Sequence, residues 1–105
     1  MRDLKFRIWD GNNGKYFYPD HIIEVNSGLE WEQFTGLHDI HDVEIYEGDI
    51  VKQWEPQEIC GVVEYRWAAF YLVKGLDAKL LRECWTDAEV IGNIHENPEL
   101  VGGVV

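Results

Sequence analysis

A chain of 105 residues, 46% apolar and 13% aromatic, fits one domain spanning residues 1–105 and excludes intrinsic disorder. Twenty acidic residues against nine basic ones give a formal net charge of −11, a field that repels nucleic-acid phosphate and an anionic membrane surface alike. Two cysteines are too few for a disulfide framework, Met1-Arg2-Asp3-Leu4-Lys5 lacks the apolar core of a signal peptide, and no apolar run approaches the ~20 residues of a membrane span. These features point to a cytoplasmic protein.

In chain order, Leu4 to Trp9 alternates. Leu4, Phe6 and Ile8 share one face, and Lys5, Arg7 and Trp9 the other, the period of a half-buried strand. The turn-rich run Asp10 to Gly14 ends it, and Tyr16-Phe17-Tyr18 forms a second, aromatic strand before Pro19. His21 to Val25 is a short apolar piece closed by the Asn26-Ser27-Gly28 turn. Leu29 to Phe34 reads as a strand broken by Thr35-Gly36-Leu37, and His38 to Asp42 as a polar loop. Val43 to Tyr46 enters, and Asp49 to Trp54 leaves, a reversal at Tyr46-Glu47-Gly48-Asp49, where glycine at the third position fits a type II turn.

Beyond a loop at Glu55-Pro56-Gln57, Ile59 to Trp67 is the longest strand, with Gly61 marking a bulge. Ala68 to Val73 is apolar on both faces, so both need cover, from a helix or from a second copy of the chain. Leu76, Leu80, Leu81 and Cys84 recur at helical spacing, which predicts a helix over Leu76 to Trp85, with a strand as the alternative. Glu89 to His95 is a strand in which Gly92 permits a bulge or a close backbone approach. Asn97-Pro98 then starts a last helical turn, with asparagine as cap and proline at the first helical position.

Candidate chemistry is sparse. His38 and His41, with Asp39 and Asp42 beside them and His21 as a distant partner, have the ligand types a metal takes; a solvated loop is the simpler reading. Glu47 and Asp49 flank Gly48. Paired carboxylates do acid–base work or bind cations, whereas in a turn an aspartate bonds nearby amides and its neighbour stays solvated. Cys60 and Cys84 have no histidine near them in sequence and read as buried free thiols. The five tryptophans, Trp9, Trp31, Trp54, Trp67 and Trp85, exceed what a small core absorbs. Trp9 beside Arg7 is a combination typical of interfaces, and without a basic groove the aromatics do not suit single-stranded nucleic acid.

Three blocks resemble the YopX family of phage and prophage proteins. They are Lys5-Phe6-Arg7-Ile8-Trp9-Asp10; Gln33-Phe34-Thr35-Gly36-Leu37-His38-Asp39 running on to Glu44-Ile45-Tyr46-Glu47-Gly48-Asp49-Ile50-Val51; and Val90-Ile91-Gly92-Asn93-Ile94-His95-Glu96-Asn97-Pro98-Glu99-Leu100. The chain departs from the family pattern at Ile40 to Val43, which lacks a glycine, and at His95, where an aromatic is usual. The resemblance implies a mainly β fold and a phage or prophage origin, and it carries no catalytic residues.

The combined reading is a mainly β domain, either a small antiparallel barrel of the SH3-like kind or packed sheets, with one or two short helices. Its expected role is a non-enzymatic accessory protein that binds protein, itself included, without cofactor or metal, with Arg7, Trp9, Tyr46, Glu47, Asp49 and Trp67 as interaction candidates. Two alternatives stand beside it: a small-ligand or metal-binding enzyme using Glu47, Asp49 and the His38–Asp42 loop, and an acidic DNA mimic.

Overall fold

Alternating apolar residues punctuated by turns build nine strands, seen in a computed structural model that describes residues 5–19, 28–54, 58–83 and 87–102. The strands are β1 (Phe6–Asp10), β2 (Lys15–Phe17), β3 (Leu29–His38), β4 (Glu44–Tyr46), β5 (Asp49–Gln53), β6 (Ile59–Arg66), β7 (Ala69–Lys74), β8 (Asp77–Leu80) and β9 (Ala88–Asn93). They form two antiparallel sheets, one in the order β2-β1-β3-β4 and the other in the order β8-β7-β6-β5-β9. One of the two curls into a half-barrel. Packed sheets, of the two architectures the sequence left open, are what the chain adopts. The pieces expected at His21 to Val25 and at Glu55 to Gln57 lie outside the described residues.

The core lies where β4 meets one face of the larger sheet. Ile45, Val51, Val63, Phe70, Leu72, Leu81 and Ala88 form one buried cluster, with Leu37 and Val90 packed against it. The other face of the same strands carries Val62 opposite Val73. Both are buried, and the 3₁₀ turn Pro98–Val101 lies against β6 there. Asn97 precedes this turn as expected, but its side chain does not cap it. Its Oδ1 accepts instead from the Asn93 backbone N–H at 3.2 Å.

Several sequence expectations are corrected. Leu76 to Trp85 is not a helix among its described residues: Gly75 and Leu76 form a turn, β8 pairs with β7, and only Leu81–Glu83 makes a 3₁₀ turn. A helix this short is marginal in water, whereas β8 satisfies its backbone by pairing. The leucine spacing is shared out, with Leu76 fully exposed at the turn and Leu81 in the core.

Thr35-Gly36-Leu37 does not end β3 either; the strand runs to His38 with a register shift between Phe34 and His38 and φ +88° at Gly36. Gly61 forms no bulge. It pairs in register with Val51, and a β-carbon there would sit 2.8 Å from the Val73 carbonyl oxygen. The irregularity in this sheet lies at Ile91, between the pairs Ile50–Gly92 and Val51–Val90.

Candidate functional site

The reversal at Tyr46–Asp49 is not a hairpin. It is a corner at which the chain leaves the smaller sheet and enters the larger one. Gly48 has φ +82°, as the third position of a type II turn requires. The corner bonds to its surroundings on every side. The Glu47 N–H donates to the Gln33 carbonyl at 3.0 Å, the Gly48 N–H donates to the Val63 carbonyl at 2.9 Å, and the Gly48 carbonyl accepts from the Ile94 N–H at 2.9 Å. The Asp49 carboxylate accepts from the Tyr46 N–H at 2.7 Å and closes the turn. Glu47, expected to be solvated, accepts from the Gln33 N–H at 2.8 Å and pins the corner to β3.

Over this corner sits a buried polar cluster. Arg7 on β1 lies directly across from Glu32 on β3, and Trp9 across from Tyr16 on β2, so strand alternation aims all four side chains at the same side. Arg7 Nε donates to Glu32 Oε1 at 2.8 Å, and Arg7 Nη2 donates to Asp49 Oδ1 at 2.8 Å and to the Glu47 carbonyl at 3.2 Å. The guanidinium lies 4.1 Å from the Tyr16 ring centroid and 4.8 Å from that of Tyr46, within cation–π range of both.

Glu32 completes the set. Its Oε1 also accepts from the Tyr16 hydroxyl at 2.9 Å, and its Oε2 lies 2.9 Å from His95 Nε2. His95 stacks flat on Trp9, with centroids 4.6 Å apart and planes 6° from parallel. A histidine at this position therefore keeps the stacking role of an aromatic and adds a polar contact.

Burial sets the electrostatics. Arg7 is 6% exposed and Asp49 2%. Desolvation opposes the charge on Arg7, but Asp49 and Glu32 outweigh it and hold the guanidinium firmly protonated. Burial pushes the Asp49 carboxyl up to about 6, against the pull of Arg7 and of the Tyr46 amide. Burial likewise raises the Tyr16 phenol above its ordinary range, and it lifts Tyr46 to about 12 with the help of Glu44.

The structure thus places three of the sequence-picked residues, Arg7, Tyr46 and Asp49, inside the molecule, where they bond across the junction of the two sheets. Trp9 and Glu47 are half-buried in the same cluster, and Trp67 alone of the six stands well out in solvent, 75% exposed. Sequence reasoning missed Tyr16, Glu32 and His95. Glu32 meets its partners across 16, 25 and 63 residues of chain, and no local motif encodes such contacts.

Glu30, Glu32 and His95 bring three ligand atoms within 4.8 Å of one another, and carboxylate with imidazole is a donor set that divalent metals accept. Here Glu32 is already committed to Arg7, Tyr16 and His95, and the adjacent guanidinium disfavours a cation. The cluster is better described as a latch. The His38–Asp42 loop also spends its side chains on structure. Asp39 accepts from the N–H groups of His41, Val43 and Val90 at 2.8, 2.9 and 2.9 Å. Burial works against its charge, but these amides prevail and hold the carboxyl below its ordinary value. His38 packs edge-on against Phe34, and His41 reaches Glu89. Cys60 is a half-buried free thiol; Cys84 lies outside the described residues.

The described β6–β7 hairpin presents a different surface. Arg66 pairs with Ala69, leaving Trp67-Ala68 as a two-residue loop with φ of +48° and +62°. That is the type I′ geometry which Asn-Gly usually fills. Trp67 packs edge-on against Tyr71 at 5.4 Å and lies near the Arg66 guanidinium. Tyr65, half exposed, packs against Phe70.

A mainly β protein of two sheets, locked at a glycine corner by a buried arginine–carboxylate latch, is the class that fold and site define. The family model described as YopX protein matches residues 21–102, and the chain belongs to the YopX family. The crystal structure of protein EF1440 from Enterococcus faecalis is similar, with 25% sequence identity and a TM-score of 0.70 over 96% of this chain and 99% of that one. No curated protein matches. Among the described residues, no helix is long and apolar enough to cross a membrane.

Proposed function

We propose that this chain is a non-enzymatic, cytoplasmic accessory protein of phage or prophage origin that acts by binding protein, itself included. Membership of the YopX family supports an accessory role. The observation that carries the binding half is the β6–β7 hairpin: Trp67 held out in solvent on a strained loop, with Arg66, Tyr65 and Tyr71 around it. Tryptophan, tyrosine and arginine are the residue types that dominate protein-binding energy, and a non-glycine pair in the left-handed region is a cost the fold accepts for a side chain placed there. The Arg7 latch supports the same reading from the other side, since most of its donors and acceptors are spent on one another.

Light scattering at micromolar concentration tests self-association. A species heavier than one chain, reduced towards the monomer by Trp67→Ala, is the expected result. A clean monomer across the whole concentration range removes the self-binding half of the proposal.

A further inference from the structure

We infer that the cavity beside the Arg7 latch is a binding site for an uncharged primary carboxamide, such as the side chain of an asparagine or glutamine on a partner protein. The inference rests on the protein-binding reading above only for what carries that group. The latch does not use the whole guanidinium. Nε donates to Glu32, and Nη2 donates to Asp49 and to the Glu47 carbonyl, while Nη1 has no acceptor among the described residues. The unpartnered side-chain atoms sealed from solvent, among the described residues, are Trp31 Nε1 and Gln53 Oε1. Nη1 therefore reaches an opening although Arg7 is only 6% exposed, and the opening that Arg7 borders is a cavity of about 240 Å³. A donor held rigid by its neighbours and turned to a cavity is a preorganised contact for a ligand.

Charge decides what kind of group Nη1 takes. The cations near the cavity are Lys5 and Arg7, and the carboxylates around them are Glu32, Glu44, Glu47 and Asp49. Lys5 is paired with Glu44, and Arg7 with Glu32 and Asp49, while Glu47 accepts from the Gln33 amide. An anion would meet an excess of negative charge and a guanidinium that is already paired. An ammonium or guanidinium group has no lone pair to accept the Nη1 hydrogen bond. An uncharged oxygen meets neither objection.

The rest of the lining selects an amide. Asp49 and Glu44 both border the cavity, and a carboxylate oxygen accepts more than one hydrogen bond. A primary carboxamide carries its acceptor and its donors on separate atoms of one plane, so its oxygen takes Nη1 while its N–H groups turn to the carboxylates. A hydroxyl has to serve both from a single atom. Val43 and Val90 add apolar wall for a short alkyl stem, and Tyr18, 61% exposed, meets Tyr46 edge-on at 6.0 Å beside them.

The test is an NMR titration of the full chain, labelled with nitrogen-15, with propionamide and separately with propionate at the same pH and ionic strength. Propionamide shifts the Arg7 Nε–H resonance and the backbone amides of Val43 and Val90 along one saturable curve, with a Kd in the millimolar range that suits so small a ligand. Propionate does not saturate. Val43→Trp, a change at a position 47% exposed that leaves the Arg7 bonds alone, narrows the mouth and weakens propionamide by about tenfold or more.

Absence of a saturable shift with propionamide overturns the inference and leaves Nη1 as the hydrated edge of a structural latch. Propionate that binds as tightly as propionamide overturns it too, since the site would then be one for anions. So does a Val43→Trp variant that binds propionamide like the wild type. Light scattering of the wild type and Trp67→Ala is read independently, so the protein-binding proposal stands or falls on its own measurement.

Discussion

Asp49 is where competing physical effects are most closely balanced. Its carboxylate accepts bonds from Arg7 and from the Tyr46 amide, and both favour the ionised form. Burial favours the neutral form and prevails, placing the group at about 6 in the folded protein against an ordinary 3.8. The sign of the pH dependence follows. Between these two values the folded state binds more protons than the unfolded state, so the contribution of this group to stability is full below about 3.8 and is lost as pH rises through about 6. Other carboxylates act in the opposite sense, since Asp39 and Glu44 lie below their ordinary values. The useful measurement is therefore the difference between the wild type and Asp49→Asn in urea melts from pH 4 to 8. The advantage of the wild type should shrink as pH rises across that window, and the Asp49 carboxyl resonance should titrate near 6. A midpoint below 4 would mean that the guanidinium outweighs burial, and the slope would then vanish or reverse.

At the scale of elements, the β6–β7 hairpin sets local stability against presentation. A residue other than glycine in the left-handed region costs roughly 1–2 kcal/mol, and this two-residue loop contains two of them. Ala68→Gly should therefore stabilise the fold by about 1 kcal/mol, a rise in Tm of about 4–8 °C for a domain near this size. Calorimetry of the two proteins checks this; an unaltered or lower Tm would show that the loop is not strained.

The elements also show what the sequence made legible. Alternation marked β1 and the later half of β6, because a strand with one face in the core writes that face at every second residue. The four apolar residues Leu76, Leu80, Leu81 and Cys84 misled, because so short a stretch matches a helical period by chance while adjacent leucines enter different elements. Gly48 announced a turn through its own conformational demand. That the turn switches sheets was not written locally, since it depends on which strands β4 and β5 pair with. The latch was half legible: the blocks holding Arg7, Asp49 and His95 stood out, but Glu32 and Tyr16 gain meaning only once β1, β2 and β3 are laid side by side.

For the molecule as a whole, the two sheets draw on different reserves. Most of the buried apolar side chains lie on β5, β6 and β7, while the smaller sheet contributes Ile8 and Ile45 with Tyr46. The smaller sheet is correspondingly dependent on the Arg7 latch and on the corner hydrogen bonds from Glu47 and Gly48. Arg7→Met keeps much of the side-chain volume but leaves Glu32 and Asp49 as buried carboxylates without their cation. Breaking a buried pair in this way costs about 3–5 kcal/mol, a large share of the 5–15 kcal/mol typical of a domain. The loss should be uneven. In native-state hydrogen exchange, the amides of β1 and β3 should lose protection through a new local opening, while those of β5, β6 and β7 continue to exchange through global unfolding. Equal loss of protection in both sheets would show a single cooperative unit in which the latch is one contact among many. A change below about 1 kcal/mol would show that Tyr16 and Tyr46 close over the gap and that the charge pair contributes little, as buried pairs replaced by apolar groups sometimes do.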